Sequence, residues 1–253
     1  MSLLQPAADA LRLDGVRKDF GDRHALQSLS LSIAPGEVYA LLGPNGAGKT
    51  TTLNLILGFL DADGGRIEVA GIDVGRDRLG ARAAIAYLPE TVMLHPQLDA
   101  IENLSYFALL GGRRIDGAQA RDLLAQAGLQ AEAHTRRAGG FSKGMRQKVG
   151  LAIALAKDAQ LLLLDEPTSG LDASAANDLS HGVRAASRRG VAVLMATHDL
   201  YRVKDVAHRL GILSAGRLLT ERRTAELSAS QIEALYLQEL GAAGTADAGA
   251  AAA

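Results

Sequence analysis

Residues 38–51 read VYALLGPNGAGKTT, and the reading of this stretch decides the fold. Gly43, Gly48, Lys49 and Thr50 satisfy the spacing G-x-x-x-x-G-K-[ST],. The apolar run Val38 to Leu42 precedes the motif as a buried strand, and Thr51 to Phe59 follows with helical spacing,. A strand, a glycine-rich turn and a helix together form a phosphate cradle. Glycines let backbone N–H groups turn toward an anion, and the helix start brings the positive end of its dipole to the same point. Lys49 then supplies a mobile cation for the outer phosphates, and the Thr50 hydroxyl a ligand for Mg²⁺. An ordinary strand-to-helix turn does not need these four residues together with both flanks, so nucleotide binding is the expectation. Which nucleotide chemistry follows stays open here, because kinases, GTPases and many ATPases share the loop.

With 253 residues the chain can bury a substantial core, as one α/β domain or one domain with a subdomain,. The formal net charge is −1, which gives no global electrostatic reason to expect a nucleic-acid partner,. There is no cysteine, so a disulfide framework, a thiolate metal site and a cysteine nucleophile are all excluded,. The opening MSLLQPAADALRLDG lacks the basic and apolar regions of a secretory signal,. The longest apolar stretches, Val149 to Ala156 and Ala159 to Leu164, fall well short of the roughly 20 residues of a membrane span,.

Along the chain, extended runs are expected around Leu11 to Val16, Ala25 to Ile33, Val38 to Leu42 and Ile67 to Val69, broken by Pro35-Gly36 and Asp63-Gly64-Gly65,. This is a β-rich lobe with the phosphate loop inside it. The middle is helical. Asp99 caps a helix running to Gly111, Ala118 to Ala127 forms another, and a third starts at Ser142 with Met145, Val149, Ala152 and Ala156 on one face,. Leu161 to Leu164 and Val191 to Ala196 suit parallel strands buried on both faces, with Ser174 to Arg189 as the helix between them,. Leu210 to Leu213 and Arg217 to Leu219 read as a closing pair, and Ser230 to Leu240 as a last amphipathic helix. The segment from Ala242 has no apolar pattern and is expected to be disordered,.

LLLLDE at Leu161 to Glu166 places two carboxylates where an apolar strand ends, beside the ligand crevice of an α/β sheet,. In isolation the pair reads equally as a helix cap and a solvated glutamate. Downstream of a phosphate loop, Asp165 reads as a Mg²⁺ ligand and Glu166 as the group that takes a proton from an attacking water.

The order of FSKGM at Phe141 to Met145, LLLLDEP, SGLD at Ser169 to Asp172 and ATHD at Ala196 to Asp199 resembles the nucleotide-binding subunit of an ATP-binding cassette (ABC) transporter, from about Leu11 to Gly241. The resemblance implies an ABC-type P-loop ATPase core with an antiparallel β subdomain and an inserted α-helical subdomain. Core and β subdomain would comprise residues 1–90 and 156–241, the helical signature subdomain 91–155, and the tail 242–253. Carried over position by position, Phe20 in RKDFG matches the aromatic that stacks on adenine. Gly43, Pro44, Asn45, Gly46, Ala47, Gly48, Lys49, Thr50 and Thr51 hold the phosphates and metal. Glu90 in YLPE stands where the family usually has glutamine, contacting the metal and its water. His198 matches the switch histidine at the γ-phosphate, and Asp172 the loop that communicates between two sites. Ser142, Lys143 and Gly144 lie in the signature, which closes on the γ-phosphate held by an opposite subunit. The implied assembly is therefore a homodimer or heterodimer around two ATP and Mg²⁺, on the cytoplasmic face of a membrane beside a separate permease subunit.

Two departures stand out. The common LSGGQ is FSKGM here, which places Lys143 between Ser142 and Gly144. Glu90 in place of glutamine adds a third carboxylate near Asp165 and Glu166, which should raise at least one pKa in the group. YLPE, SKGMRQK and the single cassette look most like exporter-type ATP-binding subunits. YLPETVMLHPQL followed by SKGMRQK is also similar to the ATPase associated with copper-site maturation of nitrous-oxide reductase. The rival reading is a soluble ABC ATPase, for example in iron–sulfur cluster assembly. The absence of sustained heptads between Thr50 and Asp165 speaks against repair-type members, and the single phosphate loop against translation-type members,.

Overall fold

The computed structural model describes the backbone of residues 9–250 and the side chains of residues 9–242. A long hairpin opens the fold, with β1 (Leu11–Phe20) antiparallel to β2 (Arg23–Ile33). Then come β3 (Val38–Leu42), buried at all five positions, and α1 (Lys49–Ile56). β4 (Gly64–Val69) and β5 (Ile72–Asp73) return to the hairpin and complete a four-stranded sheet of order β2-β1-β4-β5. The short α2 (Arg78–Ala83) leads into β6 (Ile85–Leu88). Three helices follow, α3 (Ala100–Leu110), α4 (Gly117–Gln126) and α5 (Lys143–Ala156), packed on one another. The chain then alternates β7 (Leu161–Asp165), α6 (Ala173–Arg188), β8 (Ala192–Thr197), α7 (Leu200–Val206) and β9 (Arg209–Ser214). β10 (Arg217–Arg223) and α8 (Ala229–Ala250) end it.

The second sheet has the order β10-β9-β3-β8-β7-β6, with every pairing parallel except β10 on β9. Its inner strands β3, β7 and β8 are apolar because both faces are covered, as parallel sheets require, whereas the antiparallel edge strand β10 is largely polar,. Side chains alternate between the faces. Val38, Ala40 and Leu42 of β3 join a core with the helices α3 to α8, whereas Tyr39 and Leu41 join a second core with α1 and the four-stranded sheet,. The phosphate-loop helix thus lies between the two sheets.

Register decides where function can sit. Leu42 pairs with Thr197, Asp165 with Ala196 and Leu88 with Leu164, so β3, β8, β7 and β6 all end along one edge. The residues that leave that edge are Gly43, His198, Glu166 and Pro89-Glu90.

Several elements differ from the sequence expectation. β6 is four residues long and α2 only six, too short to show periodicity, and α7 follows the ATHD segment where no helix is expected. β1 continues to Phe20 through register shifts after Leu13, where polar residues mask the alternation,. Helix α8 does not stop at Leu240 but continues to Ala250, in place of the disordered tail expected from Ala242. The alanines of that tail have the highest helix propensity of any residue, which outweighs the glycines among them. Residues 251–253 lie outside the described residues.

Two buried polar groups tie elements together. Lys148 on α5 forms a 2.7 Å ion pair with Asp178 on α6. Asn103, fully buried on α3, accepts from the His95 N–H at 2.8 Å and donates to the carbonyls of His95, Leu98 and Asp99 at 3.1, 3.1 and 2.8 Å. It therefore organises the turn that precedes α3. Replacing it strands a part-buried donor and several part-buried acceptors at once. Asn103→Leu should lower unfolding free energy by about 3 kcal/mol in urea denaturation, since buried unmade hydrogen bonds are expensive. A loss below about 1 kcal/mol would show that the turn holds itself.

Candidate active site

The phosphate loop turns between the end of β3 and the start of α1, and its backbone requires glycine. Gly48 has φ 111°, and a Cβ there would lie 2.7 Å from the Ala25 carbonyl oxygen. Lys49, only 6% exposed, donates to the carbonyls of Gly43 at 2.6 Å and Pro44 at 3.3 Å, and its Nζ lies 3.3 Å from Oε1 of Glu166. The lysine is thus folded back across the mouth of its own loop.

Glu166 is the centre of the arrangement. It directly follows β7 with φ 43°, a left-handed backbone that is uncommon for a non-glycine residue and costs on the order of 1 kcal/mol,. Its N–H donates to the Ala196 carbonyl at 2.9 Å, which anchors the turn to β8. The carboxylate, 14% exposed, meets Lys49 through Oε1 and His198 Nδ1 through Oε2 at 2.8 Å; the His198 backbone N–H also points at Oε2, at 3.3 Å. A buried cation on one side and an imidazole on the other fix its orientation.

Asp165 ends β7 and is buried, with the Tyr87 hydroxyl 3.5 Å from Oδ2. Burial raises its pKa above the usual carboxylate range, with Glu166 and then Glu90 adding to the rise and Lys49 opposing it,. The carboxylate excess expected from Glu90 is therefore felt at Asp165, behind desolvation. The Tyr87 hydroxyl is pushed up to about 12, first by burial and then by the Asp165 charge. Glu90 leaves the end of β6, and its Oε1 accepts from the Ser169 hydroxyl at 3.2 Å.

A cavity of about 340 Å³ collects these groups. Phe20, Pro44, Asn45, Gly46, Gly48, Lys49, Thr50, Thr51, Glu90, Asp165 and Glu166 line it. Phe20 is 48% exposed, with the Lys18 ammonium 5.4 Å from its ring centre, so it is a surface aromatic rather than a core one. Arg23, which sequence reasoning missed, lines the same cavity and donates to the Gly46 carbonyl at 3.3 Å. Its place on the strand paired with Phe20 was the available signal. Gly43 lies at the root of the loop and Ala47 is buried beneath it. A second cavity of about 390 Å³, lined by Ser169, His198, Asp199 and Tyr201 among others, shares Glu166 with the first.

The signature residues lie elsewhere. Ser142 caps α5 by accepting from the Met145 N–H at 3.2 Å, and Asp172 caps α6 by accepting from the Ala175 N–H at 2.8 Å. Ser142 and Lys143 are exposed, and none of Ser142, Lys143, Gly144 and Asp172 lines the phosphate-loop cavity. Gly144 is buried against α6, where a Cβ would meet that of Ala175 at 2.8 Å. Among the described residues no helix is long and apolar enough to cross a membrane.

Comparison with known proteins gives a consistent result. The family described as ABC transporter matches residues 26–169. The Nod factor export ATP-binding protein I of Paraburkholderia xenovorans is 37% identical over 88% of this chain and 74% of its own length. The daunorubicin resistance ATP-binding protein DrrA3 of Streptomyces coeruleorubidus is 37% identical over 88% and 71%, and the linearmycin resistance ATP-binding protein LnrL of Bacillus subtilis 32% over 83% and 68%. Among solved structures, an ATP-binding subunit of an ABC transporter superposes with TM-score 0.79 at 27% identity, covering 91% of this chain and 99% of that one. A dimeric ATP-binding cassette in a post-hydrolysis state with ADP and Pi superposes with TM-score 0.75 at 25% identity, covering 85% and 98%. With 37% identity to a named ATP-binding subunit and a family match over more than half of its length, the chain belongs to this family: it is an ABC transporter ATP-binding subunit that hydrolyses ATP.

Proposed function

We propose that two such chains close around two ATP molecules, each held by the phosphate loop of one chain and the signature of the other, and that closure powers a separate membrane permease in export. The observation that carries the mechanism is the Glu166 carboxylate held between Lys49 and His198 at the open end of β7. Oε2 already accepts from His198, so the base has a fixed direction, and a positioned carboxylate can take a proton from water as it attacks the γ-phosphate. Lys49 exchanges its carbonyl and Glu166 contacts for the outer phosphates. The backbone from Gly43 to Thr51 holds the rest of the triphosphate, and Phe20 supplies the face on which adenine stacks.

Thr50, Asp165 and Glu90 offer hydroxyl and carboxylate oxygens to one cavity, the donor chemistry that Mg²⁺ takes,. Among the described residues no group of three or more His, Cys, Asp and Glu is arranged as a metal site, and Mg²⁺ needs none, since one or two carboxylates and the phosphates suffice,. Bound there, Mg²⁺ would neutralise charge on the phosphates. Ser142, Lys143 and Gly144 are then the half of the site that one chain cannot place for itself, and Asp172, at the cap of α6, belongs to the loop that communicates between the two sites. The dimeric cassette among the structural neighbours supports this arrangement. Export is favoured over a soluble role by relatives named for Nod factor export and drug resistance. The permease would hold the chain at the cytoplasmic face of the membrane. No nucleic acid enters this reading, and the likeness to the ATPase of nitrous-oxide-reductase maturation rests on residues 87–98 and 142–148 alone.

Lys49→Ala should abolish measurable ATP binding in equilibrium dialysis, whereas Ser142→Arg should bind ATP normally and fail to hydrolyse it. Equal loss of nucleotide in both variants would defeat the shared-site account. Glu166→Gln should retain ATP binding, lower turnover by about 10²- to 10⁴-fold as expected for loss of a general base, and elute as an ATP-dependent dimer in size-exclusion chromatography. Wild-type turnover in that variant would exclude Glu166 as the base.

A further inference from the structure

Five residues beyond Ser142, α5 carries Gln147, which is 1% exposed and reaches across to the turn that leaves β6. Its Nε2 donates to the Glu90 carbonyl at 2.7 Å and to the Pro89 carbonyl at 3.3 Å. Its Oε1 has no partner, alone among buried side-chain nitrogens and oxygens of the described residues. Turning the amide over would set Oε1 against two carbonyl oxygens, acceptor against acceptor, so the neighbours dictate the orientation. A buried acceptor left open is unfavourable. The side chain is therefore retained in this pose by what its amide group holds, two consecutive carbonyls at the Glu90 turn.

Two further contacts grip the same turn. One helical turn past Gln147, a Cβ on Gly150 would sit 2.7 Å from both Leu88 and Val92, so α5 lies directly against the chain on either side of Glu90. From the opposite side, Ser169 donates to the Glu90 carboxylate. The backbone of Glu90 is thus held by the signature helix, and its side chain by the segment that follows Glu166.

We propose that Gln147 is a positioning residue for ATP hydrolysis: it ties the helix that begins at Ser142 to the backbone of Glu90, so that signature and cavity carboxylate keep one relative placement. Gln147 does not line the phosphate-loop cavity and acts through Glu90. The proposal rests on the reading of Glu90 as a residue of the site.

Gln147→Met keeps length and volume while removing both hydrogen bonds. In the full chain, kcat should fall about tenfold, the size of effect expected from loss of one coupled contact. ATP affinity in equilibrium dialysis should stay within about twofold and the thermal midpoint within about 4 °C, because no contact to nucleotide or large core volume is lost. The same substitution is then made in Glu90→Ala, with radiolabelled ATP to reach low rates. There it should cost less than about twofold, since a partner already removed cannot be mispositioned. A tenfold loss in both backgrounds would overturn the tie, and so would unchanged kcat in Gln147→Met or a fall in ATP affinity that matches the fall in rate. If Glu90→Ala alone hydrolyses ATP at the wild-type rate, the reading of Glu90 fails instead, a result distinct from additive losses over a slow Glu90→Ala.

Discussion

The parallel register of β6, β7, β8 and β3 is the constraint on which the site depends. Pairing Leu42 with Thr197 and Asp165 with Ala196 makes the strands stop together, and the chain must leave the sheet at each of those points. A loop for phosphates, two carboxylates and a histidine are delivered to one edge by hydrogen bonds made several residues earlier. Shifting any one strand by a single residue would move its terminal group about 3.3 Å along the edge and reverse which face each side chain meets. Apolar burial on both faces is what forbids that shift. The two cores separate the even and odd residues of β3, so every side chain on the strand votes for the same register.

Within that frame the electrostatics are arranged around scarcity of water. Asp165 is buried beside two other carboxylates, and its charge is disfavoured by burial before any neighbour is counted. Lys49 offsets part of this by lying against Glu166 with little exposure of its own. Such a cluster is poorly suited to stabilising a fold and well suited to receiving positive charge, the part proposed for Mg²⁺ at the same oxygens. The left-handed backbone at Glu166 belongs with this, because local strain is tolerated where surrounding contacts overdetermine a conformation,.

What could be read from sequence follows from distance along the chain. The phosphate loop and the Asp165-Glu166 pair were legible because their chemistry lies within a few consecutive residues, and the caps Asp99 and Ser142 because capping is a three-residue event,. The contacts that position them were not. Gln147 reaches back 57 residues to Glu90, Lys148 pairs with Asp178 across 30, and Asn103 reads as one more polar residue in an amphipathic helix until its four partners are seen. Arg23 is similar, since its approach to Gly46 depends on how the first hairpin folds over the loop. The tail misled for a different reason: a segment without an apolar stripe can still be helical when alanine dominates it,.

The ion pair between Lys148 and Asp178 has a consequence for motion. Taking either helix away from the other would leave a bare charge inside the protein, a far larger penalty than sliding both together,. Since α5 begins at the Ser142 cap and α6 at the Asp172 cap, the two helices form a rigid fork whose prongs are these two turns. A displacement of one prong draws the other with it, so in the proposed dimer the turn assigned to the second subunit and the turn assigned to its nucleotide would move along a single mechanical coordinate.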